Sequence, residues 1–118
     1  MPNVIGNFYF KLTTAGHLLG EYSNSGTPWA RPECAFRGDD VPYAERQSFV
    51  GTYTSTWHEP TGSTVTVTLT IVPRYRPAEQ ATLFELTWTR RPGGSVMYQG
   101  QAMLNDGQLV GNYQSVDS

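Results

Sequence analysis

From Thr64 to Ile71 the chain alternates without a break between threonine and an aliphatic residue. Val65, Val67, Leu69 and Ile71 take one face; Thr64, Thr66, Thr68 and Thr70 take the other. Successive side chains of an extended chain point to opposite sides, so this pattern fits a half-buried strand and not a helix. Three further stripes repeat it: Phe8, Phe10 and Leu12; Phe84, Leu86 and Trp88; and Val96, Tyr98, Gly100, Ala102 and Leu104. Short turn-forming stretches separate the runs, namely Ala15-Gly16, Pro60-Thr61-Gly62, Pro92-Gly93-Gly94 and Asp106-Gly107. Strands joined by such turns run antiparallel. The pattern predicts strands over 7–13, 17–25, 48–58, 63–73, 82–91, 95–104 and 108–116.

The irregular segment 26–47 carries Pro28, Pro32, Gly38, Asp39-Asp40 and Pro42. So long a connection without structure is uncommon in a compact domain, which predicts an eighth, irregular strand around Trp29–Phe36 followed by a loop.

A tripeptide, Gly-x-Tyr, recurs three times after two apolar residues: Leu18-Leu19-Gly20-Glu21-Tyr22, Phe49-Val50-Gly51-Thr52-Tyr53 and Leu109-Val110-Gly111-Asn112-Tyr113. Each glycine falls on the inner face, where a strand glycine marks a tight bend or makes room for a neighbour's side chain. Three of them suggest a sheet that coils until it closes. The expected fold is all-β: a single antiparallel meander β-barrel of about eight strands spanning 1–118, just wide enough to be filled or to hold one small ligand.

Connectivity assigns the ends. Loops 38–47 and 74–81 and the Asp106-Gly107 turn share one end, and the tight turns 59–62 and 92–94 share the other. Tyr22, Trp57, Trp88, Tyr98 and Tyr113 lie toward the tight-turn end, which those turns predict to be a closed floor. Phe49, Ile71, Phe84, Leu104 and Leu109 lie toward the loop end.

Leu18-Leu19-Gly20-Glu21-Tyr22-Ser23 and Gly51-Thr52-Tyr53-Thr54-Ser55 resemble the Gly-x-Tyr-x-Ser strands of the avidin and streptavidin family, and similar strands occur in lipocalin-like barrels. The likeness is at the level of the fold. It implies a meander barrel with an internal site, to which Tyr22 or Tyr53, with Ser55, would contribute. The chain lacks that family's Gly-Thr-Trp-x-Asn and Thr-Thr-Trp-x-Gly strands, so biotin is not the expected ligand.

Composition narrows the function classes. With 118 residues, a formal charge of −2 and 15% charged side chains, nothing calls for nucleic acid or an anionic membrane. No apolar run reaches the length of a membrane helix. Met1-Pro2-Asn3 has neither the basic nor the apolar part of a signal peptide, which makes the cytoplasm the expected compartment. Cys34 is the sole cysteine, and His17 and His58 show no ligand spacing with it, so neither metal nor other cofactor is expected.

No nucleophile elbow or phosphate-binding loop is present, so no catalytic residue is assigned. A binding protein for a small hydrophobic or aromatic ligand inside the barrel is the leading expectation, with Tyr22, Tyr53, Ser55, Trp57, Trp88, Tyr98 and Tyr113 as the candidate contacts. The alternatives are a cofactor-independent isomerase, cyclase or lyase, which needs a carboxylate or tyrosine of shifted pKa in a dry pocket, and an interaction or inhibitor module using loops 26–47 and 74–81. Asp39, Asp40, Glu45, Arg74, Arg76 and Glu79 would form a polar rim at the loop end. On the outside, Met97, Met103, Val110 and Val116 predict an apolar patch and hence a homodimer or higher oligomer.

Overall fold

Eight strands follow one another in sequence, each hydrogen-bonded to the next, and the last pairs with the first in a closed antiparallel barrel. We describe residues 4–38, 40–59 and 61–116 of a computed structural model. The strands are β1 (Ile5–Leu12), β2 (Leu18–Asn24), β3 (Thr27–Phe36), β4 (Gly51–His58), β5 (Thr64–Pro73), β6 (Leu83–Thr89), β7 (Val96–Asn105) and β8 (Gln108–Ser115). A single 3-10 turn, Glu45–Gln47, interrupts the β3–β4 connection. Among the described residues no helix is long and apolar enough to cross a membrane.

The strands form where alternation demands them. In β5, Val67, Leu69 and Ile71 are buried, while the threonines between them face outward. Phe10, Leu18, Ala35, Leu69, Ile71, Leu86 and Leu109 fill the middle of the barrel. Full burial of each large aliphatic or aromatic side chain contributes about 1.5–3 kcal/mol. The β7–β8 hairpin turns at Asp106 (φ 54°) and Gly107 (φ 79°), two consecutive left-handed residues whose twist matches the flanking strands.

Two of the three repeat glycines bring strands close together, whereas a Cβ on Gly51 would meet nothing nearer than the Arg37 guanidinium at 3.4 Å. A Cβ on Gly20 would stand 1.8 Å from the Tyr9 carbonyl oxygen, and one on Gly111 would stand 2.1 Å from that of Gln101. At these points adjacent strands approach too closely for any side chain, which lets the ribbon bend into a small barrel.

The eighth strand is longer than the sequence suggests. β3 begins at Thr27 and pairs with β2 through a register shift between Tyr22 and Asn24. Its inward residues include Glu33 and Ala35, and Phe36 faces out. Leu104, expected inside, is 40% exposed, because it lies near the end of β7 beside the final turn.

Candidate ligand-binding site

The two ends of the barrel are built differently. At the loop end, Arg37 follows β3 into the barrel mouth and is buried. Its guanidinium donates to the carbonyls of Gly16 (2.8 Å), Val50 (3.3 Å), Glu45 and Ser48, and to the Tyr53 hydroxyl. Tyr53 passes its own proton to the Phe49 carbonyl at 2.7 Å, and Arg37 also lies 4.6 Å from the centre of the Tyr53 ring. The planar fork of an arginine suits several acceptors at once. Together Arg37 and Tyr53 plug this end. Burial, opposed by the neighbouring guanidinium, pushes the Tyr53 phenol up to about 12. The expected polar rim lies outside this plug; Arg74 pairs with Glu85 at 3.3 Å, and Asp39 lies outside the described residues.

The tight-turn end holds a cavity, where a closed floor was expected. At its base β3 supplies a carboxylic acid to the interior. Glu33 is 5% exposed. Ser55 donates to its Oε2 at 2.6 Å, and the Trp88 indole donates to the same oxygen at 2.8 Å. No donor among the described residues reaches Oε1, and Glu33 lines the cavity, so this oxygen is left to whatever enters. Burial raises the Glu33 pKa above its ordinary value of 4.5, and the two hydrogen bonds oppose the rise without cancelling it.

Five rings enclose the space above this acid. Tyr22, Trp57, Trp88, Tyr98 and Tyr113 all line it, with Asn24 and Glu59 at the margin. Neighbouring rings stand edge to face: Tyr22 against Trp57 (6.4 Å, 69°), Trp57 against Tyr98 (6.1 Å, 63°) and Tyr98 against Tyr113 (5.5 Å, 88°). Tyr113 has room because both of its cross-strand partners, Gly6 and Gly100, lack side chains.

Some of the polar tips are already used. Tyr22 donates to the His58 carbonyl at 3.1 Å, the Asn24 amide donates to the Tyr113 hydroxyl at 2.8 Å, and the Trp57 indole reaches Glu59 at 3.3 Å. Tyr98 makes no hydrogen bond to a described residue, and Tyr113 keeps its own proton to give. Burial, reinforced by Glu59, raises the Tyr22 phenol to about 12; burial also raises Tyr98 and Tyr113.

The cavity volume open to the centre of a water-sized sphere is about 30 Å³, and its mouth widens to solvent. That is room for about two waters or one small head group.

Of the seven residues expected to contact a ligand, Tyr22, Trp57, Trp88, Tyr98 and Tyr113 come together here. Ser55 lies one layer below and reaches the cavity only through Glu33. Tyr53 belongs to the opposite end, where Arg37 holds it. Glu33 and Asn24 are lining residues with no signal in the sequence pattern; Glu59, which adjoins His58 and looks in sequence like half of an acid–base pair, lines the cavity without it. His58 is exposed, and its ring meets the Thr64 hydroxyl at 3.0 Å. Among the described residues no three His, Cys, Asp or Glu side chains gather as a metal-binding group.

Compared with protein-family models, curated proteins and solved structures, the chain matches none. The closed eight-stranded meander is compatible with a calycin-like fold.

Proposed function

We propose that this protein binds a small molecule whose apolar or aromatic part enters the tight-turn end of the barrel. The observation that carries this reading is the ring-walled cavity closed beneath by a buried, half-satisfied carboxyl group. Apolar walls with a few convergent polar groups are the ordinary makeup of a small-molecule site. Burying most of an acid beneath aromatic rings also lowers stability, and such sacrifices concentrate at functional sites.

A thermal-shift screen with small aromatic and apolar compounds tests the reading. A ligand at 100 times its Kd stabilises by about 2.7 kcal/mol, or roughly 10 °C in Tm for a domain of this size. A screen in which no compound moves Tm or the tryptophan emission would count against it.

Glu33 favours a second reading, acid–base catalysis without a cofactor. A carboxyl group whose pKa burial has raised can donate a proton in one step and take one back in the next. Turnover lost on Glu33→Gln, with binding retained, would support this over simple binding.

We also propose that copies of the chain associate through the outer face of β6, β7 and β8. Leu83, Met103 and Val110 are exposed and are register partners across the three strands, forming one ladder. Met97 and Val116 are half-buried and add less than expected. Size-exclusion chromatography should give a mass above 13.1 kDa; a monomer at high concentration would remove the idea.

A further inference from the structure

The cavity's lining has a one-sided charge. Glu33 forms its base and Glu59 its margin, and no lysine or arginine is among the residues that wall it. The remaining polar lining consists of phenols, indoles and one amide. Aromatic rings are negative on their faces and attract cations, most strongly where water is excluded. The unused Oε1 of Glu33 and the oxygens of Tyr98 and Tyr113 can all accept a hydrogen bond from a bound group. An anion would meet two carboxyl groups and no basic side chain in the cavity wall.

Resting on the small-molecule reading above, we propose that the cavity selects a primary ammonium head group, –CH2–NH3+, on an aromatic or alkyl body that remains in the mouth. The head group offers three N–H donors to Glu33 Oε1 and the phenol oxygens, with the rings packed around its methylene. Its size fits a cavity with room for about two waters, whereas a quaternary ammonium is too bulky to descend to Glu33.

The proton on Glu33 has a part in this. Burial favours the neutral acid in the empty cavity, and an arriving cation favours the carboxylate. Uptake of the ammonium therefore releases the Glu33 proton to solvent, and affinity rises with pH until Glu33 is ionised in the free protein. Around Glu33 the titratable groups are Tyr22 on β2, Glu59 after β4, Tyr98 on β7 and Tyr113 on β8. Arg31, on Glu33's own strand, and Arg90, after β6, act on Tyr22 and Tyr98 respectively. The upward shift of Glu33 itself comes from burial, opposed by its two hydrogen bonds, and no charged neighbour contributes to it.

The test compares 2-phenylethylammonium, 2-phenylethanol and phenylacetate by tryptophan fluorescence and by calorimetry in buffers of different ionisation heat. The expected result is that the ammonium binds about tenfold or more tighter than the alcohol. At a pH below the raised Glu33 pKa it should release a proton on binding, with less release as pH rises, and the acetate should not bind. Glu33→Gln should erase both the preference and the proton release, and Glu59→Gln should weaken the preference only slightly. Equal affinity for the ammonium and the alcohol would overturn the cation inference and leave the small-molecule reading standing. Absence of binding by all three would overturn both. The comparison on the unaltered protein decides the matter even if Glu33→Gln folds poorly.

Discussion

Glu33→Gln should change how stability depends on pH, and the change can be worked from the cavity. Gln keeps the shape of Glu33 and an oxygen to accept from Ser55 and Trp88, but cannot ionise. In the native protein the Glu33 pKa is raised above 4.5 by burial. Between 4.5 and that raised value the folded state holds a proton that the unfolded state has lost, so stability falls as pH rises through the window. One proton gives a slope of about 1.4 kcal/mol per pH unit. With an unfolding entropy of about 2.1 cal/mol/K per residue, that is a drop of roughly 5 °C in Tm per pH unit. Below pH 4.5 the acid is neutral in both states and the two proteins should melt alike. Above it, Glu33→Gln should become the more stable by a widening margin that levels off once native Glu33 ionises. Thermal melts of both proteins from acid to neutral pH measure the difference directly, since other groups contribute equally to each. Parallel curves, or a native protein that gains on the variant as pH rises, would refute a buried acid with a raised pKa.

Arg37→Met should cost about 3 kcal/mol, because it leaves the carbonyls and the Tyr53 hydroxyl at the loop end without their donor. Arg37→Lys should recover only part of this, as one ammonium cannot reach all the acceptors; urea melts measure both. Gly111→Ala should destabilise by about 2–3 kcal/mol, since its Cβ would collide with the Gln101 backbone and force β7 and β8 apart. Alkali should unfold the barrel: Tyr22 and Tyr53 titrate near 12 when folded and at their ordinary 10 when unfolded, so stability falls as pH rises from 10 to 12. The last part of the tyrosinate absorbance should then rise together with the loss of near-ultraviolet circular dichroism, after the exposed Tyr43 and Tyr75; ionisation of every tyrosine with the dichroism intact would contradict the burial of these phenols.

Alternation made the barrel legible. The threonine-aliphatic run of β5 fixes its faces, and the turn residues fix the order of the hairpins, so closure followed from the inward glycines. The rings at the tight-turn end were readable for the same reason, since Trp57, Trp88, Tyr98 and Tyr113 each share a face with core residues. β3 was not readable in this way. Its sequence offers two phases, Cys34 and Phe36 on one face or Glu33, Ala35 and Arg37 on the other. Hydrophobic patterning picks the first, yet the barrel buries the second. The interior accepts it because each buried charge-bearing group finds dedicated partners from distant strands: Ser55 and Trp88 for Glu33, and loop carbonyls with Tyr53 for Arg37. Such partners lie 22 and 55 residues away from Glu33 and leave no local signature. The end assignment of Tyr53 was likewise hidden, because Arg37 decides it. A Glu-x-Ala-x-Arg run amid strands of clean alternation is the one signal that points to a polar interior.

The three indole N–H groups offer the most direct test of where a ligand sits. Trp57 and Trp88 line the cavity, while Trp29 is 77% exposed on the outside. In a proton–nitrogen correlation spectrum, adding 2-phenylethylammonium should move the Trp57 and Trp88 resonances and leave Trp29 in place. Movement of Trp29 alone, or no movement at saturating concentration, would contradict a binding site at the tight-turn end of the barrel.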